Sequence, residues 1–574
     1  MAKRWLIMPP ASDLAAIAGR WKVPPLIAQL LVNRGLSADG AARNFLVPRL
    51  KDLSPPALLP GADQAARRIG EAISAGQKIV LYGDYDVDGT AGVAILWHTL
   101  KRAGADVSFY VPHRLDEGYG LNLAAVCRLA EEGARLIVSV DCGITAVAEA
   151  AALRRAGVGL VITDHHTPHA VLPEADVIVH PRIGGAYPNP ELCGAGVAFV
   201  LAWALAQHLA GSERVDPAFR TLLLDLLPLA ALGTIADVVP LVGENRIIAR
   251  HGLEALASPS LPGLRSLIES AGLGGEEING YHVGFKLAPR INAAGRIGHA
   301  RLAVELLTRA DADRAREIAL YLEEHNRARQ ATERKILQAA RELIDRGNLA
   351  GDARRAIVLA STAWHSGVIG IVAARLVEQF QRPAILISLA DGIGQGSGRS
   401  VPALPLSEAL AACDEHLLSY GGHAMAAGLR IAQEQVEAFS ERFVEVANNR
   451  LTGDDLVPKL RLDGEVTLEV LALPTVEAMQ RLGPFGVGNP RPMLATDWVA
   501  LAAEPRCVGK SGDHLQASFI QGHLQMKAIG FGLGKLIEEL KYHRRCRAAF
   551  EPIINEFNGR RSVEMQLLDL QFPS

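Results

Sequence analysis

Several protein classes are excluded by what this chain lacks. No window reaches the ~18 uninterrupted apolar residues that a helical membrane span needs, so no membrane association is expected. The opening stretch, MAKRWLIMPPASD, carries basic residues but only a short apolar run broken by two prolines, unlike a secretory signal. Six cysteines (127, 142, 193, 413, 507 and 546) show no C-x-x-C and no paired spacing, which argues against a disulfide framework. Mostly buried thiols in a reducing cytoplasm fit them better. An excess of one charge is also missing. Lys and Arg number 59 against 62 Asp and Glu, a formal net charge of −3, so no global basicity advertises a nucleic-acid partner. A local basic channel can still sit on a neutral protein. Neither an internal repeat nor a low-complexity tract stands out.

What is present is the composition of a full-sized globular protein: 574 residues, 49% hydrophobic and 21% charged. At roughly 150 residues per domain that predicts three or four domains. Residues 1–64 read as a helical segment with the Pro-rich connector VPRLKDLSPPALLPG. Residues 65–240 alternate helix and strand, with KIVLY, DVSFYVP, RLIVSVD and VGLVITD as strands. Apolar runs that lack alternation and are joined by helices predict a parallel α/β sheet covered on both faces. Residues 241–346 form a helical region. It ends in a stretch, 311–346, without Gly or Pro that starts on an Asp cap and predicts a long connector helix. Such a helix spans roughly 54 Å at 1.5 Å per residue. Residues 347–452 repeat an α/β pattern, and 453–574 carry short strands that predict an antiparallel, OB-like β-barrel.

The stretch LYGDYDVDGT places Asp84, Asp86 and Asp88 at alternate positions before Gly89, which is also how an EF-hand calcium loop opens. That loop needs a Glu at its twelfth position between two helices. Here the twelfth position is Ile95 and a strand precedes the acids, so the calcium reading fails. In open α/β sheets, ligands bind outside the carboxyl ends of the strands. Asp84 and Asp86 follow KIVLY, Asp141 ends RLIVSVD, and Asp164, His165 and His166 close VGLVITD. Asp237, in LAALGTIADVVPL, is a further candidate, and Asp88 is read as a cap or support residue. Carboxylates with imidazole suit Mn²⁺ or Mg²⁺ in a two-metal site better than a closed zinc site. Such a site suits phosphoryl displacement.

DYDVDG, VSVDCGI and ITDHH together resemble the DHH phosphoesterase superfamily. Within it, the ordered segments PHRLDEGYGL, LCGAGVAF, APRINAAGRIGHA, WHSGVIGIVAARL, GSGRS, GGHAMAAGL and LGPFGVGNPRP resemble the RecJ family of single-strand-specific exonucleases over nearly the whole chain. The resemblance implies a DHH domain, a DHH-associated substrate-binding domain and a 5′→3′ exonuclease acting on single-stranded DNA in recombination and repair. It implies Mn²⁺ or Mg²⁺ as cofactor, a strand with a free 5′ end as substrate, and a single-strand-binding protein and a helicase as partners. Carried over by position, Asp86, Asp141, His165 and Asp237 bind one metal, Asp84 and Asp141 the other, and His166 meets the scissile phosphate. One departure is Tyr82, where some relatives carry His.

The nuclease needs a path for a polyanion. The stretch 286–300 offers Lys286, Arg290, Asn292 and Arg296 near small residues that permit close backbone approach, favouring a phosphate path over the plainer reading of a solvated loop, with Arg114 as a weaker candidate. GIGQGSGRSVPAL reads as a Gly-rich loop whose free N–H groups, with Ser397 and Arg399, form an anion nest. His365 and His423, each beside glycines before a small-residue helix, extend that substrate face. On the barrel, Lys510, His514, Phe557, Arg560 and Arg561 are the expected single-strand contacts. Rival readings are a DHH enzyme acting on short oligonucleotides or cyclic dinucleotides, and a non-catalytic scaffold. The intact acids argue against the scaffold.

Overall fold

The computed structural model describes every residue except 1–2, 113–116, 119, 186, 298–299, 352 and 574, and the side chains of 296 and 297. The chain forms two compact units. One comprises residues 6–295, 299–322 and 461–574; the other comprises 323–460 with 1–5 and 296–298.

In the larger unit, a five-stranded sheet runs in the order Val107–Tyr110, Ile79–Gly83, Leu136–Val140, Gly159–Thr163, Val177–Val179, and every pairing is parallel. Period-two alternation divides its strands between two cores, as a doubly covered sheet requires. Ile79, Leu81, Leu136 and Val138 join the core with the helices Val87–Arg102, Gly194–Ala210 and Pro217–Ala236. Val80, Tyr82 and Ile137 point the other way, onto Leu123–Glu131 and Val147–Arg155. Full burial of each such Leu or Ile stabilises by about 1.5–3 kcal/mol. From Ile79–Gly83 the chain first adds Val107–Tyr110 on one side, then crosses back to Leu136–Val140 on the other. Asp84 and Asp141 therefore leave neighbouring strands where the strand order reverses, the crevice in which α/β folds bind ligands.

Pro217–Ala236 is, among the described residues, the one helix long and apolar enough to cross a membrane by length and composition. Leu226, Leu227, Leu229 and Ala230 bury it in the core instead.

The same unit holds the C-terminal barrel. Val499–Leu501 pairs with His514–Gln521, which pairs with Leu524–Gly530, which pairs with Arg560–Gln571, which pairs with Arg545–Phe557, which returns to Val499–Leu501. Five strands thus close on themselves, leaving no open edge among them. The barrel is not wholly antiparallel, because Leu524–Gly530 and Arg560–Gln571 run parallel. Its last two strands are long, at 13 and 12 residues. Leu26, Ile27, Leu30 and Leu31 of the N-terminal helices share a core with Phe519, Phe550 and Met565 of the barrel, a packing the sequence pattern did not indicate.

In the smaller unit the strand order is Ser419–Gly422, Ala426–Ala432, Ile393–Arg399, Ala384–Ala390, Ile357–Ser361, with one parallel pair at the end. The stretch expected to be a Gly-rich loop is thus a strand, paired on both sides. Gly394 and Gly396 stand where a Cβ would come within 2.8 Å of Ile431 and 2.6 Å of Leu429. The helix Ala312–Arg346 runs unbroken for 35 residues, capped by Asp311 accepting from the Arg314 N–H at 2.9 Å. Asn326, Arg329 and Glu333 on it are buried, with Arg329 donating to both partners.

Candidate metal centre

Three strand ends build the centre. The N–H of Asp84 donates to Val140 O at 3.2 Å, that of Asp141 to Thr163 O at 2.9 Å, and that of Asp164 to Val179 O at 3.2 Å. Each acid thus extends the parallel ladder by one residue and is held by it. Asp141 sits in the left-handed region (φ 63), turning the chain sharply at the strand end. Close approach then demands glycine at three places. A Cβ on Gly89 would lie 2.8 Å from Asp84 Cβ, one on Gly194 would lie 2.5 Å from Asp141 Oδ1, and one on Gly233 would lie 2.4 Å from Asp88 Oδ1.

The three acids of DYDVDG do different work. Asp86 caps the Val87–Arg102 helix, with Oδ1 accepting from the N–H groups of Asp88 and Gly89 at 2.9 and 3.1 Å. Buried Asp88 accepts from Gly194 and Ala195 N–H at 2.6 and 2.8 Å, at the positive end of the Gly194–Ala210 helix. It supports the start of a neighbouring helix, not of its own. Asp164 accepts from the N–H groups of Ile144, His165 and His166 and bonds His166 Nδ1 at 2.7 Å, which fixes that ring.

Among the described residues, ligand atoms within 4.8 Å of one another form three groups: Asp84, Asp86, Asp141; Asp141, His165, His166; and Asp88, His165, Asp237. His165 Nε2 lies 3.2 Å from Asp141 Oδ1, 3.7 Å from Asp237 Oδ2 and 3.8 Å from Asp88 Oδ2. Asp141 and His165 each belong to two groups. Asp86 falls with Asp84 and Asp141, while Asp88 falls with His165 and Asp237, where the family resemblance implies Asp86.

The electrostatics describe a centre short of positive charge. Burial, then the charges of Asp88, Asp86, Asp84 and Asp164, hold Asp141 well above the ordinary carboxylate range. Burial, then Asp88 and Asp86, push Asp237 up to about 8. Burial pushes His165 down. Burial also opposes charge on His166, but the hydrogen bond and charge of Asp164 outweigh it and raise His166 overall. Buried His165 Nε2 makes no hydrogen bond of good geometry. Hard oxygen donors, a neutral imidazole and crowded carboxylates that otherwise retain protons fit a divalent cation of the Mn²⁺ or Mg²⁺ kind. Tyr82 stands apart. It is fully buried, and its hydroxyl donates to Gly120 O at 3.2 Å and accepts from Asn122 N–H at 3.1 Å.

The expected substrate contacts fall in separate places. Residues 286–297 are helical, against the plainer reading of a solvated loop: 283–287 forms a π-helical turn continuing into Ala288–Ile297. Such turns occur disproportionately at functional sites. On it, Asn292 Oδ1 accepts from the Val87 N–H at 3.1 Å, tying this helix to the start of the Val87–Arg102 helix. A Cβ on Gly295 would lie 2.9 Å from Tyr85 O. Arg290 donates to Lys286 O. Arg114 and the side chain of Arg296 lie outside the described residues.

In the smaller unit, the N–H groups of Ile393–Arg399 belong to a strand paired on both sides, so no anion nest forms there. Arg399 donates to Ser397 Oγ at 3.2 Å, and a Cβ on Gly370 would lie 2.8 Å from that oxygen. His365 caps the Ser366–Phe380 helix through Nδ1. Exposed His423 follows a strand and turns into the next one; it does not precede a helix. On the barrel, Phe557 and Arg560 face each other at the tip of the hairpin, with Phe557 71% exposed. Lys510 is exposed in the turn before His514–Gln521. Arg561 is paired with Glu477 at 2.6 Å. The sequence reading passed over Asp164, as an orienting group, and Gly194 and Gly233. All three lay inside quoted motifs, but the contact each one makes is visible only in three dimensions.

An oxygen-rich centre at the reversal point of a parallel sheet, on a chain that also carries a closed OB barrel, defines a divalent-cation phosphoesterase. Family models match as the DHH family N-terminal domain over residues 78–234, the DHHA1 domain over 354–449 and the RecJ OB domain over 462–569. The single-stranded-DNA-specific exonuclease RecJ of Bacillus subtilis is 39% identical over 99% of this chain and 70% of its own length. That of Thermus thermophilus is 36% identical over 99% and 79%. The Thermus thermophilus RecJ structure in complex with Mn²⁺ matches with a TM-score of 0.84 at 34% identity, covering 100% of this chain and 80% of that one. Its complex with Mg²⁺ matches at 0.78 and 31%, covering 100% and 79%. The chain belongs to the RecJ family.

Proposed function

We propose that this chain is a single-stranded-DNA-specific 5′→3′ exonuclease serving DNA recombination and repair. It hydrolyses phosphodiester bonds with two divalent cations, Mn²⁺ or Mg²⁺. The observation that carries this reading is the pair of ligand groups sharing Asp141, set at the strand ends of a chain that matches RecJ exonucleases along nearly its full length. Asp84, Asp86, Asp141, His165 and Asp237 hold the cations. Bound there, they supply the positive charge and the lowered water pKa that phosphodiester hydrolysis needs.

The chain's own groups do the rest. Asp164 fixes Nδ1 of His166 and so orients the imidazole that meets a phosphate oxygen of the strand. Asp88 and Asp86 seat the two helix starts that flank the centre. Arg290, Asn292, Arg296 and Arg114 guide the strand, Ser397 and Arg399 with His365 and His423 receive its 5′ end, and Lys510, Phe557 and Arg560 bind it on the barrel. The domains divide as 1–64, 65–240, 241–346, 347–452 and 453–574. A single-strand-binding protein and a helicase are the proposed partners, in a cytoplasmic setting.

The test compares release of mononucleotides from 5′-labelled and 3′-labelled single strands with blunt duplex, with and without Mn²⁺. Early loss of the 5′ label from single strands alone, dependent on the cation, is expected. Equal cleavage of duplex, or attack from the 3′ end, sinks the proposal.

A further inference from the structure

The chain leaves the metal centre through a backbone outlier. Asp237 ends the Pro217–Ala236 helix, its N–H donating to Gly233 O at 2.9 Å. The next residue, Val238, has φ 62. A β-branched residue in the left-handed region is strained. Its side chain is 63% exposed, so its own packing does not compensate. Strain of this kind persists only where the surrounding structure over-determines it, and it clusters at functional sites.

What over-determines it comes from far along the chain. The Leu241 N–H donates to Val487 O at 2.7 Å. Two glycines let that loop lie flat on the segment: a Cβ on Gly486 would lie 2.8 Å from Leu241 Cδ1, and one on Gly488 would lie 3.1 Å from Pro240 Cβ. The loop is closed on itself. Gly486 and Asn489 exchange backbone hydrogen bonds of 2.9 and 3.1 Å, and the fully buried Asn489 side chain donates to Leu482 O and Pro484 O, both at 2.8 Å. Arg34 braces it, donating to Asn489 Oδ1 at 2.7 Å.

A second anchor follows one helical turn later. Arg246, 2% exposed, donates to Gly483 O at 2.8 Å and Phe45 O at 2.9 Å, with its guanidinium 3.8 Å from the Phe45 ring centre. It donates to backbone carbonyls and lies over an aromatic ring. A buried guanidinium that loses such partners is strongly unfavourable. These bonds therefore hold 483–484 and 246 in one fixed relation.

We infer that the 482–490 loop is a positioning element for Asp237: through Leu241 and Arg246 it holds the Val238 turn, and so sets where the Asp237 carboxylate stands. The loop lies within the stretch matched by the RecJ OB domain model, so the barrel domain shapes the metal centre as well as any DNA surface it carries. The inference rests on the two-cation reading above, in which Asp237 is a ligand.

The test uses the full-length protein, with Mn²⁺ titrations followed by electron paramagnetic resonance and thermal melts of the metal-free form. Val238→Gly relieves the strained φ and removes only an exposed side chain. The loop still holds the turn, so this variant is expected to melt no lower than the parent and to bind Mn²⁺ as the parent does. Gly486→Ala pushes on Leu241 and is expected to raise the Mn²⁺ dissociation constant about tenfold, the scale of losses when a ligand's supporting shell is disturbed. A Gly486→Ala isotherm that superimposes on the parent's overturns the inference, and so does a weakened Val238→Gly isotherm, which puts the control in Val238 itself. Asp237→Asn is the reference: if it binds Mn²⁺ as the parent does, the metal-centre reading itself fails, a different result from failure of the loop.

Discussion

At the carboxyl edge of the parallel sheet, Gly89, Gly194 and Gly233 stand where a Cβ would strike Asp84, Asp141 and Asp88. In the Ile393–Arg399 strand of the smaller unit, Gly394 and Gly396 stand where a Cβ would strike Ile431 and Leu429. From sequence, the first three lie in separate segments of the family resemblance, while the second pair reads as part of a Gly-rich anion-binding loop. At the sheet edge the space left by glycine is filled by carboxylates. In the strand it is filled by leucine and isoleucine side chains from neighbouring strands. Glycine reports that something comes close; only the neighbour's identity says whether that closeness serves chemistry or packing.

The widest separation of the two regions comes from Asp141→Ala. Metal-dependent nuclease activity is expected to fall by at least about 10³-fold. The metal-free protein should melt no lower than the parent, because a buried carboxylate crowded by like charges has been removed. Activity within tenfold of the parent breaks the comparison at its root. Gly194→Ala and Gly396→Ala make the matched pair. Overpacking costs about 1–3 kcal/mol at either place. Gly194→Ala should also lower Mn²⁺ affinity, since its Cβ lands on Asp141 Oδ1, whereas Gly396→Ala should leave the Mn²⁺ isotherm unchanged. Calorimetric Mn²⁺ titration beside thermal melts checks both.

The pH response of the metal-free protein sharpens the contrast. Asp237 is held up to about 8 from an ordinary 3.8, so the native state keeps a proton that the unfolded chain releases. Stability from this group is present at low pH and is lost as pH rises from about 4 to about 8. Between pH 6 and 8 the parent should lose about 2 kcal/mol more than Asp237→Asn, read by denaturant melts at each pH. Saturating Mn²⁺ should cancel the difference. The smallest effect expected is that of Arg399→Ala, a rise of about tenfold in KM for a 5′-phosphorylated strand, with Mn²⁺ affinity untouched. Loss of Mn²⁺ binding in that variant would dissolve the distinction between the two regions.

Much of the centre was legible. Asp84, Asp86, Asp141, His165 and His166 sit at strand ends, and period-two strands with short turns leave little choice about where a strand-end residue goes. Asp237 lies at a helix end; it was a candidate from the sequence, but its place among the ligands came from the family resemblance, not from periodicity. The π-helical turn at 283–287 and the helix that follows were not legible one by one within the helical region, because Pro289, Gly295 and small residues weaken any helical signal. The Ile393–Arg399 strand was missed for a related reason: strand propensity is low in a stretch so rich in glycine, and the partners that stabilise it lie in other strands. The long helix was visible because it is local, lacking Gly and Pro and starting on an Asp cap.

By itself, then, the sequence determined the local and the topological: which segments are strands buried on both faces, where the acids fall along them, and that no calcium loop could close. Those follow from backbone geometry and side-chain periodicity, which act over a few residues. Only the tertiary structure decided how the acids are shared among ligand groups, that Asp88 serves a neighbouring helix, that Tyr82 is tied to Gly120 and Asn122, and that a loop some 245 residues downstream clamps the chain beside Asp237. Each of these is a contact between residues distant in sequence, made by packing and hydrogen bonds that exist only once the cores have formed.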